Sequence, residues 1–194
     1  AAIARLVDTT GAYPLTAGNA IEPLASTAAY DAMIEAIARA ERTVAMSTYI
    51  FDNDRAGRLF ADALEAAVAR GVVVRVLIDG VGARYSFPPM TGNLRARAIP
   101  VAEFLPTFVP VHMAYANLRN HRKILVIDGR VGFTGGMNVR RTHLLAADRE
   151  NGTADTHFRI EGPVVAHLMS TFADDWTFCV GEGLPGPDWF PPLG

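Results

Sequence analysis

The stretch of residues 43–79 places the strongest constraint on the fold, because two strand-like runs there flank one helical pattern. Residues 43–51 are rich in β-branched and aromatic side chains, which favour a strand. Apolar residues then recur at helical spacing from Ala56 to Val68. The next run, VVVRVLID at residues 72–79, is almost continuously apolar, as is typical of a strand buried on both faces. Strand, helix and strand predict a parallel β-α-β unit and therefore an α/β fold.

Length and composition favour one globular domain over residues 1–194. Half of the 194 residues are hydrophobic, which is enough for one sizeable core. Residues 181–194, GEGLPGPDWFPPLG, have the composition of a tail or linker. The formal net charge of -2 gives no general electrostatic case for binding nucleic acid. No apolar run approaches the ~18 to 20 residues of a transmembrane helix, so we expect the chain as given to be soluble.

Residues 120–138 combine polar side chains and a glycine pair at fixed spacings. The members are His121, Lys123, Asp128, Gly135, Gly136 and Asn138. The apolar run before Asp128 predicts a strand over residues 121–127 that is closed by a turn. Side chains of a strand alternate faces, so His121 and Lys123 point to the same side, with Cα atoms roughly 7 Å apart. One phosphate would fit between them.

This combination resembles the HKD signature of the phospholipase D superfamily: H-x-K, four apolar residues, Asp, six residues and G-G-x-N. YIFD at residues 49–52, IDGVG at 78–82 and DTHFRIEGP at 155–163 are similar to the amino-terminal half of bacterial cardiolipin synthases. The resemblance implies a mixed, largely parallel β-sheet with helices on both faces. It also implies a phospholipid substrate and, for the full-length protein, association with the bacterial cytoplasmic membrane.

The residues of the motif suit the cleavage of a phosphodiester. Neutral His121 can attack phosphorus in line and form a phosphohistidine, which splits one difficult displacement into two easier ones. Lys123 and the amide of Asn138 would hold the non-bridging oxygens, where negative charge develops. No cofactor or metal is required, and the sequence contains no H-E-x-x-H, no cysteine pair and no acidic calcium-binding loop.

Two carboxylates are assigned different roles. Asp128 would face away from His121 and Lys123 on strand parity, so we expect a structural role for it. A carboxylate is still needed to hold the second ring nitrogen of His121 and fix its tautomer. Asp155, in the DTH segment of the resemblance, is the candidate.

A general acid for the leaving oxygen is missing from a single copy of the motif. Enzymes of the superfamily use two copies, related by a pseudo-dyad or by the twofold axis of a homodimer. The other histidines, His112, His143, His157 and His167, lie in no second H-x-K pattern and are interpreted as structural or surface residues. The partner is therefore expected to be a second HKD half, supplied by a homodimer or by a longer chain.

Two further functions remain open beside a phosphatidyltransferase or phospholipase. One is a homodimeric single-motif nuclease or phosphodiesterase, which the net charge does not favour. The other is a non-catalytic half that serves dimerisation or peripheral membrane docking.

Residues 84–118 are rich in proline and aromatic side chains, which excludes one long helix or strand there. That segment forms either the wall of a lipid-accepting pocket or irregular core.

Overall fold

A computed structural model describes residues 13–106, 118–144 and 152–192. In these ranges the strands are β1 (Ala20–Ala25), β2 (Thr43–Thr48), β3 (Val73–Asp79), β4 (Val101–Phe104), β5 (Ile124–Ile127), β6 (Val131–Gly135) and β7 (Thr156–Glu161). The helices are α1 (Ser26–Arg39), α2 (Arg55–Ala69), α3 (Met90–Ala96) and α4 (Val164–Val180). Short 3-10 turns lie at Gly82–Arg84 and Arg141–His143. None of these helices is both long enough and apolar enough to span a membrane.

The strands form one mixed sheet in the order β1-β7-β6-β5-β2-β3-β4. β2, β3 and β4 are parallel neighbours, which confirms the predicted β-α-β unit. The pairs β2-β5, β5-β6, β6-β7 and β1-β7 are antiparallel. The α/β class is therefore confirmed, whereas the expectation of a largely parallel sheet is wrong.

The physical reason for this error lies in the short connection between β5 and β6. Strands joined by so tight a turn can only be antiparallel, because a parallel pair needs a long crossover. The four residues of β5 are all buried. A strand buried on both faces is continuously apolar in either direction, so its composition does not reveal the direction of its neighbours.

Helices cover both faces of the sheet, as the family resemblance implied. α1 and α2 bury Tyr30 and Phe60 against one face, where Met46 of β2 also points. α4 buries Phe172 and Trp176 against the opposite face, beside Ala45. Alternation along β2 thus separates the two apolar clusters. Each large side chain buried in this way contributes roughly 1.5 to 3 kcal/mol relative to exposure.

The described part of the predicted tail, residues 181–192, lies against the domain. Leu184 and Trp189 are buried in the cluster under α4. Thr43 donates a hydrogen bond from Oγ1 to the carbonyl of Asp188, 2.9 Å away. A Cβ on Gly129 would lie 2.4 Å from the carbonyl oxygen of Trp189. The turn after β5 therefore depends on a glycine for this packing.

The proline-rich segment 84–118 contains no long helix or strand in its described part. It holds the short helix α3 and the edge strand β4. Residues 107–117 lie outside the described residues.

Candidate active site

Sheet topology brings distant segments of the chain together at one end of the strands. β5 is antiparallel to β2, so its first residue lies beside the last residues of β2 and β3. β6 ends at that edge and β7 begins from it. The residues at or next to these strand ends are Tyr49, Asp79, Lys123, Gly135 and Asp155. This end of the sheet, where β2, β3 and β6 end and β5 and β7 begin, is hereafter called the site edge. It collects polar groups that are far apart in sequence.

His121 and Lys123 lie close together, but the predicted strand over residues 121–127 is wrong for its first three residues. β5 begins at Ile124, so both residues belong to the segment that leads into the strand. Nζ of Lys123 lies 3.1 Å from Nδ1 of His121 and donates to the carbonyl oxygen of His121 at 2.8 Å. The Lys123 side chain is buried, whereas His121 is exposed. The pair therefore presents a reachable imidazole backed by a buried cation.

The carboxylate of Asp79 holds the segment before His121 in place. Its Oδ2 accepts a hydrogen bond from the backbone N–H of Asn120 at 2.9 Å. Its Oδ1 accepts from the N–H groups of Val81 and Gly82 in the turn after β3. Asp79 is buried and its negative charge acts on His121. Sequence reasoning missed this residue; the available signal was an aspartate at a strand end followed by Gly80.

Asn120 is fixed from its other side as well. Its Nδ2 donates to Oδ2 of Asp175 on α4 at 2.8 Å, and its Oδ1 accepts from the N–H of Arg122 at 3.1 Å. Arg122 also forms an ion pair with Asp175 at 2.7 Å. The segment around His121 is thus tied to β3 by the backbone of Asn120 and to α4 by the side chains of Asn120 and Arg122.

Tyr49 packs against both members of the pair. Its ring centroid lies 4.8 Å from that of His121, at an interplanar angle of 50°. Nζ of Lys123 lies 5.5 Å from the centre of the same ring, within the range of a cation–π contact. Tyr49 follows β2 directly and was noticed in the sequence only as part of YIFD. Its position gives it a part in orienting the imidazole.

The glycine pair of the motif lets β6 approach the start of β7. A Cβ on Gly136 would lie 2.5 Å from Oδ1 of Asp155. A Cβ on Gly135 would lie 2.6 Å from the carbonyl oxygen of Thr156 and 2.7 Å from Cα of His157. Larger residues would therefore push Asp155 and His157 away from the site edge.

Asp155 acts on Lys123 rather than on His121 in this structure. Burial lowers the pKa of Lys123 to about 8, and the negative charge of Asp155 opposes that shift. Burial likewise lowers the pKa of His157 to about 4, again opposed by Asp155. Among the described residues, no hydrogen bond joins Asp155 to His121. The predicted pairing of these two residues therefore requires a rearrangement of side chains.

The imidazole of His121 is held neutral by its surroundings. Partial burial lowers its pKa below the ordinary value, and the positive charge of Lys123 lowers it further. Asp79 opposes both effects. A neutral ring keeps a lone pair on one nitrogen, as a nucleophile needs.

Asn138 is oriented by the chain after β2. Its Oδ1 accepts a hydrogen bond from the N–H of Ile50 at 3.1 Å. Its carbonyl oxygen accepts a hydrogen bond from the hydroxyl of Tyr30. Because Oδ1 is engaged, Nδ2 is the end of the amide that can donate to a ligand.

Asp128 lies at the end of β5 opposite to Lys123. Its carboxylate accepts hydrogen bonds from the N–H groups of Glu41, Arg42 and Thr43 at 2.8 to 3.0 Å. Its backbone has a positive φ of 53°. The contacts of Asp128 are thus with the backbone that leads from α1 into β2.

Besides His121, three histidines fall within the described residues. None of them is part of the His121–Lys123 pair. His143 and His157 are buried, and Nδ1 of His143 faces the carbonyl of Thr153 at 3.2 Å. His167 stacks on Tyr13 with centroids 4.8 Å apart. His112 lies outside the described residues. Within the described ranges, no group of three or more His, Cys, Asp or Glu residues is arranged to hold a metal ion.

The family of the chain follows from comparison with known proteins. The model of the family described as "Cardiolipin synthase, PLD-like domain" matches residues 33–176. The chain belongs to this family. The match includes both members of the His121–Lys123 pair, the glycine pair and Asp155.

The curated relatives include cardiolipin synthases of several bacteria. Cardiolipin synthase 1 of Bacillus anthracis is 32% identical over 162 residues, which cover 84% of this chain and 32% of the relative. Cardiolipin synthase A of Pseudomonas fluorescens is 33% identical over 187 residues, which cover 95% of this chain and 39% of the relative. The chain therefore spans about a third of the length of the curated relatives it matches.

Solved structures share the phospholipase D fold with this chain. Nuc from Salmonella typhimurium, a phospholipase D family member, superposes with a TM-score of 0.64 at 18% identity, covering 87% of this chain and 100% of Nuc. Phosphatidylserine synthase of Haemophilus influenzae has a TM-score of 0.61 at 19% identity, covering 80% of this chain and 36% of the synthase. At these identities the likeness concerns the fold alone.

Proposed function

We propose that this chain forms one half of the active site of an enzyme that transfers or hydrolyses phosphodiesters of phospholipid head groups. The contact of 3.1 Å between Nδ1 of His121 and Nζ of Lys123, at an exposed edge of the sheet, carries the proposal. The cardiolipin synthase relatives support a phospholipid as the substrate and its membrane as the place of action. A homodimeric phosphodiesterase for other substrates is the alternative, and the experiment below separates the two.

In the first step, Nε2 of His121 attacks phosphorus. A P–N bond forms, the P–O bond to the leaving alcohol breaks, and the leaving oxygen takes a proton from a general acid. Lys123 and Nδ2 of Asn138 hold the non-bridging oxygens; a preorganised donor of this kind typically contributes about 3 to 4 kcal/mol to the rate. In the second step the oxygen of a lipid hydroxyl or of water attacks phosphorus, the P–N bond breaks and frees the imidazole, and the proton of the attacking hydroxyl passes to the group that acted as general acid in the first step.

The tautomer of His121 has to change when substrate binds. In the free site Nδ1 faces the ammonium of Lys123 and accepts from it. When a phosphate draws Lys123 onto its oxygens, Nδ1 is free to carry the proton, which leaves a lone pair on Nε2. Asp155 would then accept a hydrogen bond from Nδ1 and stabilise the positive ring.

The general acid is proposed to be a second His121 or its equivalent in a second HKD half. Of the other histidines in the described residues, His143 and His157 are buried, and His167 stacks on Tyr13. A homodimer or a longer chain would face two such imidazoles, one acting as nucleophile and one as acid. The mass of the chain in solution tests the first arrangement.

The test is a comparison of wild type with His121→Ala on labelled phosphatidylglycerol and on DNA, with EDTA present. Wild type should release or transfer the head group and should carry an acid-labile phosphate, and His121→Ala should do neither. His167→Ala is the matched control and should retain both. Turnover by His121→Ala, or loss of wild-type turnover in EDTA, would refute the mechanism. Turnover of DNA but not of lipid would favour the alternative.

A further inference from the structure

Tyr30 places a phenol hydroxyl on the buried stripe of α1. Its side chain is 1% exposed, and the residues that follow it on this stripe, Met33 and Ile37, are apolar and buried. Its ring packs edge-on against Phe60 of α2, with centroids 5.2 Å apart. A phenylalanine would fill the same space without a polar atom to desolvate, so the hydroxyl needs an explanation of its own.

The hydroxyl of Tyr30 is bonded to the segment that follows the glycine pair. It donates to the carbonyl oxygen of Asn138 and accepts from the N–H of Arg140 at 3.0 Å. The carbonyl oxygen of Arg140 lies 3.1 Å from the same hydroxyl. One side chain of α1 therefore holds two alternate residues of this segment, which are 108 and 110 positions away in the sequence.

The chain that follows β2 holds the same segment from its other side. The N–H of Val139 donates to the carbonyl oxygen of Ile50 at 3.0 Å, and the N–H of Asp52 donates to the carbonyl oxygen of Val139 at 2.9 Å. The N–H of Ile50 donates to Oδ1 of Asn138 at 3.1 Å. The main chain of Asn138 is thus held by Tyr30 and its side-chain amide by Ile50, and together they set the direction of Nδ2.

This direction decides whether Asn138 can bind a phosphate oxygen. Because Oδ1 is engaged, Nδ2 is the end of the amide that is left to donate. A donor accelerates the reaction only if it already points to the place where negative charge develops. A displacement of about 1 Å in such a group can lower a rate about a hundredfold.

The Tyr30 hydroxyl remains a donor under assay conditions, because burial raises its pKa above the ordinary value. Without it, the carbonyl of Asn138 and the N–H of Arg140 would lose their partner. Buried main-chain groups that lose a partner move to find another. The segment would then shift and turn Nδ2 away from the phosphate.

We propose that Tyr30 is a positioning residue, whose hydroxyl fixes the backbone of Asn138 so that Nδ2 points at a non-bridging oxygen of the phosphate bound by His121 and Lys123. The proposal rests on the proposed function, in which Asn138 binds that phosphate. The hydroxyl contacts main-chain groups of the segment, so Tyr30 acts on the reaction through Asn138.

The first test is Tyr30→Phe, which removes the hydroxyl and keeps the ring. On the soluble probe bis(p-nitrophenyl) phosphate, kcat should fall about tenfold and KM should stay within about twofold, because the lost interaction stabilises the transition state. The matched control is Thr43→Val, which removes another buried hydroxyl that donates to a carbonyl oxygen at 2.9 Å, at the end of β2 opposite the site edge. It should keep the wild-type kcat. Assays are run at a temperature at which circular dichroism shows both variants folded.

A double-mutant cycle separates positioning from a general effect on the fold. If Tyr30 acts through Asn138, Tyr30→Phe should lower kcat little further in Asn138→Ala, so the two losses should not add in free energy. Fully additive losses would overturn the inference. So would a wild-type kcat in Tyr30→Phe, or an equal loss of kcat in Thr43→Val.

A binding measurement keeps this inference separate from the proposed function, because it needs neither lipid nor turnover. Inorganic phosphate is titrated into isotope-labelled protein, and the Nδ2 signals of Asn138 in the NMR spectrum are identified by their loss in Asn138→Ala. These signals should shift with phosphate in wild type and in Thr43→Val, and less in Tyr30→Phe.

Each outcome of the titration has a separate meaning. Wild-type shifts in Tyr30→Phe would overturn the inference. An absence of shifts in wild type that still turns over phosphodiesters would also overturn it and leave the proposed function standing. If the shifts follow the expected order but no phospholipid is turned over, the proposed function fails and the positioning of Asn138 by Tyr30 stands.

Discussion

Nζ of Lys123 lies 3.1 Å from Nδ1 of His121, and its positive charge adds to the effect of burial in lowering the pKa of that imidazole. The charge of Lys123 helps to keep His121 neutral, and burial lowers the pKa of Lys123 to about 8. The ammonium is therefore charged at neutral pH but close to losing its proton. Its charge should be a pH-dependent part of catalysis.

Activity on a phosphodiester should fall as the pH rises through about 8, because Lys123 then loses its proton and its attraction for phosphate oxygens. In Lys123→Arg the guanidinium stays charged at every accessible pH, so this alkaline limb should vanish even if the rate is lower. The measurement is kcat/KM from pH 6 to 10 for both proteins. An alkaline limb retained by Lys123→Arg would assign it to another group.

Lys123→Met should stabilise the folded chain at pH 7. The lowered pKa means that the folded state binds the lysine proton less tightly than the unfolded state, so folding is opposed below about pH 8. This cost shrinks as the pH rises from about 8 towards the ordinary value of 10.5. The gain in melting temperature should therefore be larger at pH 7 than at pH 10.5. A gain that is equal at both pH values would contradict the shift.

Asp128→Ala should destabilise the fold without changing the chemistry. The substitution leaves three backbone N–H groups between α1 and β2 without their carboxylate. The loss should be about 2 kcal/mol or more in urea unfolding, since hydrogen bonds to a charged group contribute ~1.5 to 3 kcal/mol each. Asp128→Asn tolerates the same positive φ and should lose less. Activity per folded molecule should match wild type; a loss there would make Asp128 part of the chemistry.

Gly135→Ala should cost about 1 to 3 kcal/mol, the usual range for overpacking. The new Cβ would lie 2.6 Å from a backbone oxygen of β7, and backbone yields less readily than a side chain. Gly92→Ala is the control, because nothing lies within 4 Å of its added Cβ and it sits in α3. Thermal unfolding should show a loss for the first variant and none for the second.

Tyr49→Leu should lower kcat about tenfold with little change in stability. The ring that contacts both His121 and Lys123 would be lost, and the imidazole would no longer be oriented. Tyr49→Phe keeps the ring and should restore most of the rate. If Tyr49→Phe is as impaired as Tyr49→Leu, the hydroxyl rather than the ring is needed.

Sequence alone identified the motif residues because residue identity and spacing along the chain are local properties. The proximity of His121 and Lys123 was expected from a strand over residues 121–127, although the observed strand begins only at Ile124. The apolar run at residues 72–79, together with the strand and helix before it, predicted the parallel unit, which is confirmed. The helical periodicity of residues 56–68 predicted α2, whose amphipathic face needs no knowledge of its partner.

The tertiary structure decided which distant residues meet. The antiparallel half of the sheet carries β6 and β7 to the site edge, so Asp155 comes to lie near Lys123 rather than beside His121. Asp79 and Tyr49 join the site because β2 and β3 end at that edge. Strand direction and packing depend on long-range pairing, which local composition does not encode. The sequence by itself thus determined the chemical groups, and only the fold determined their neighbours.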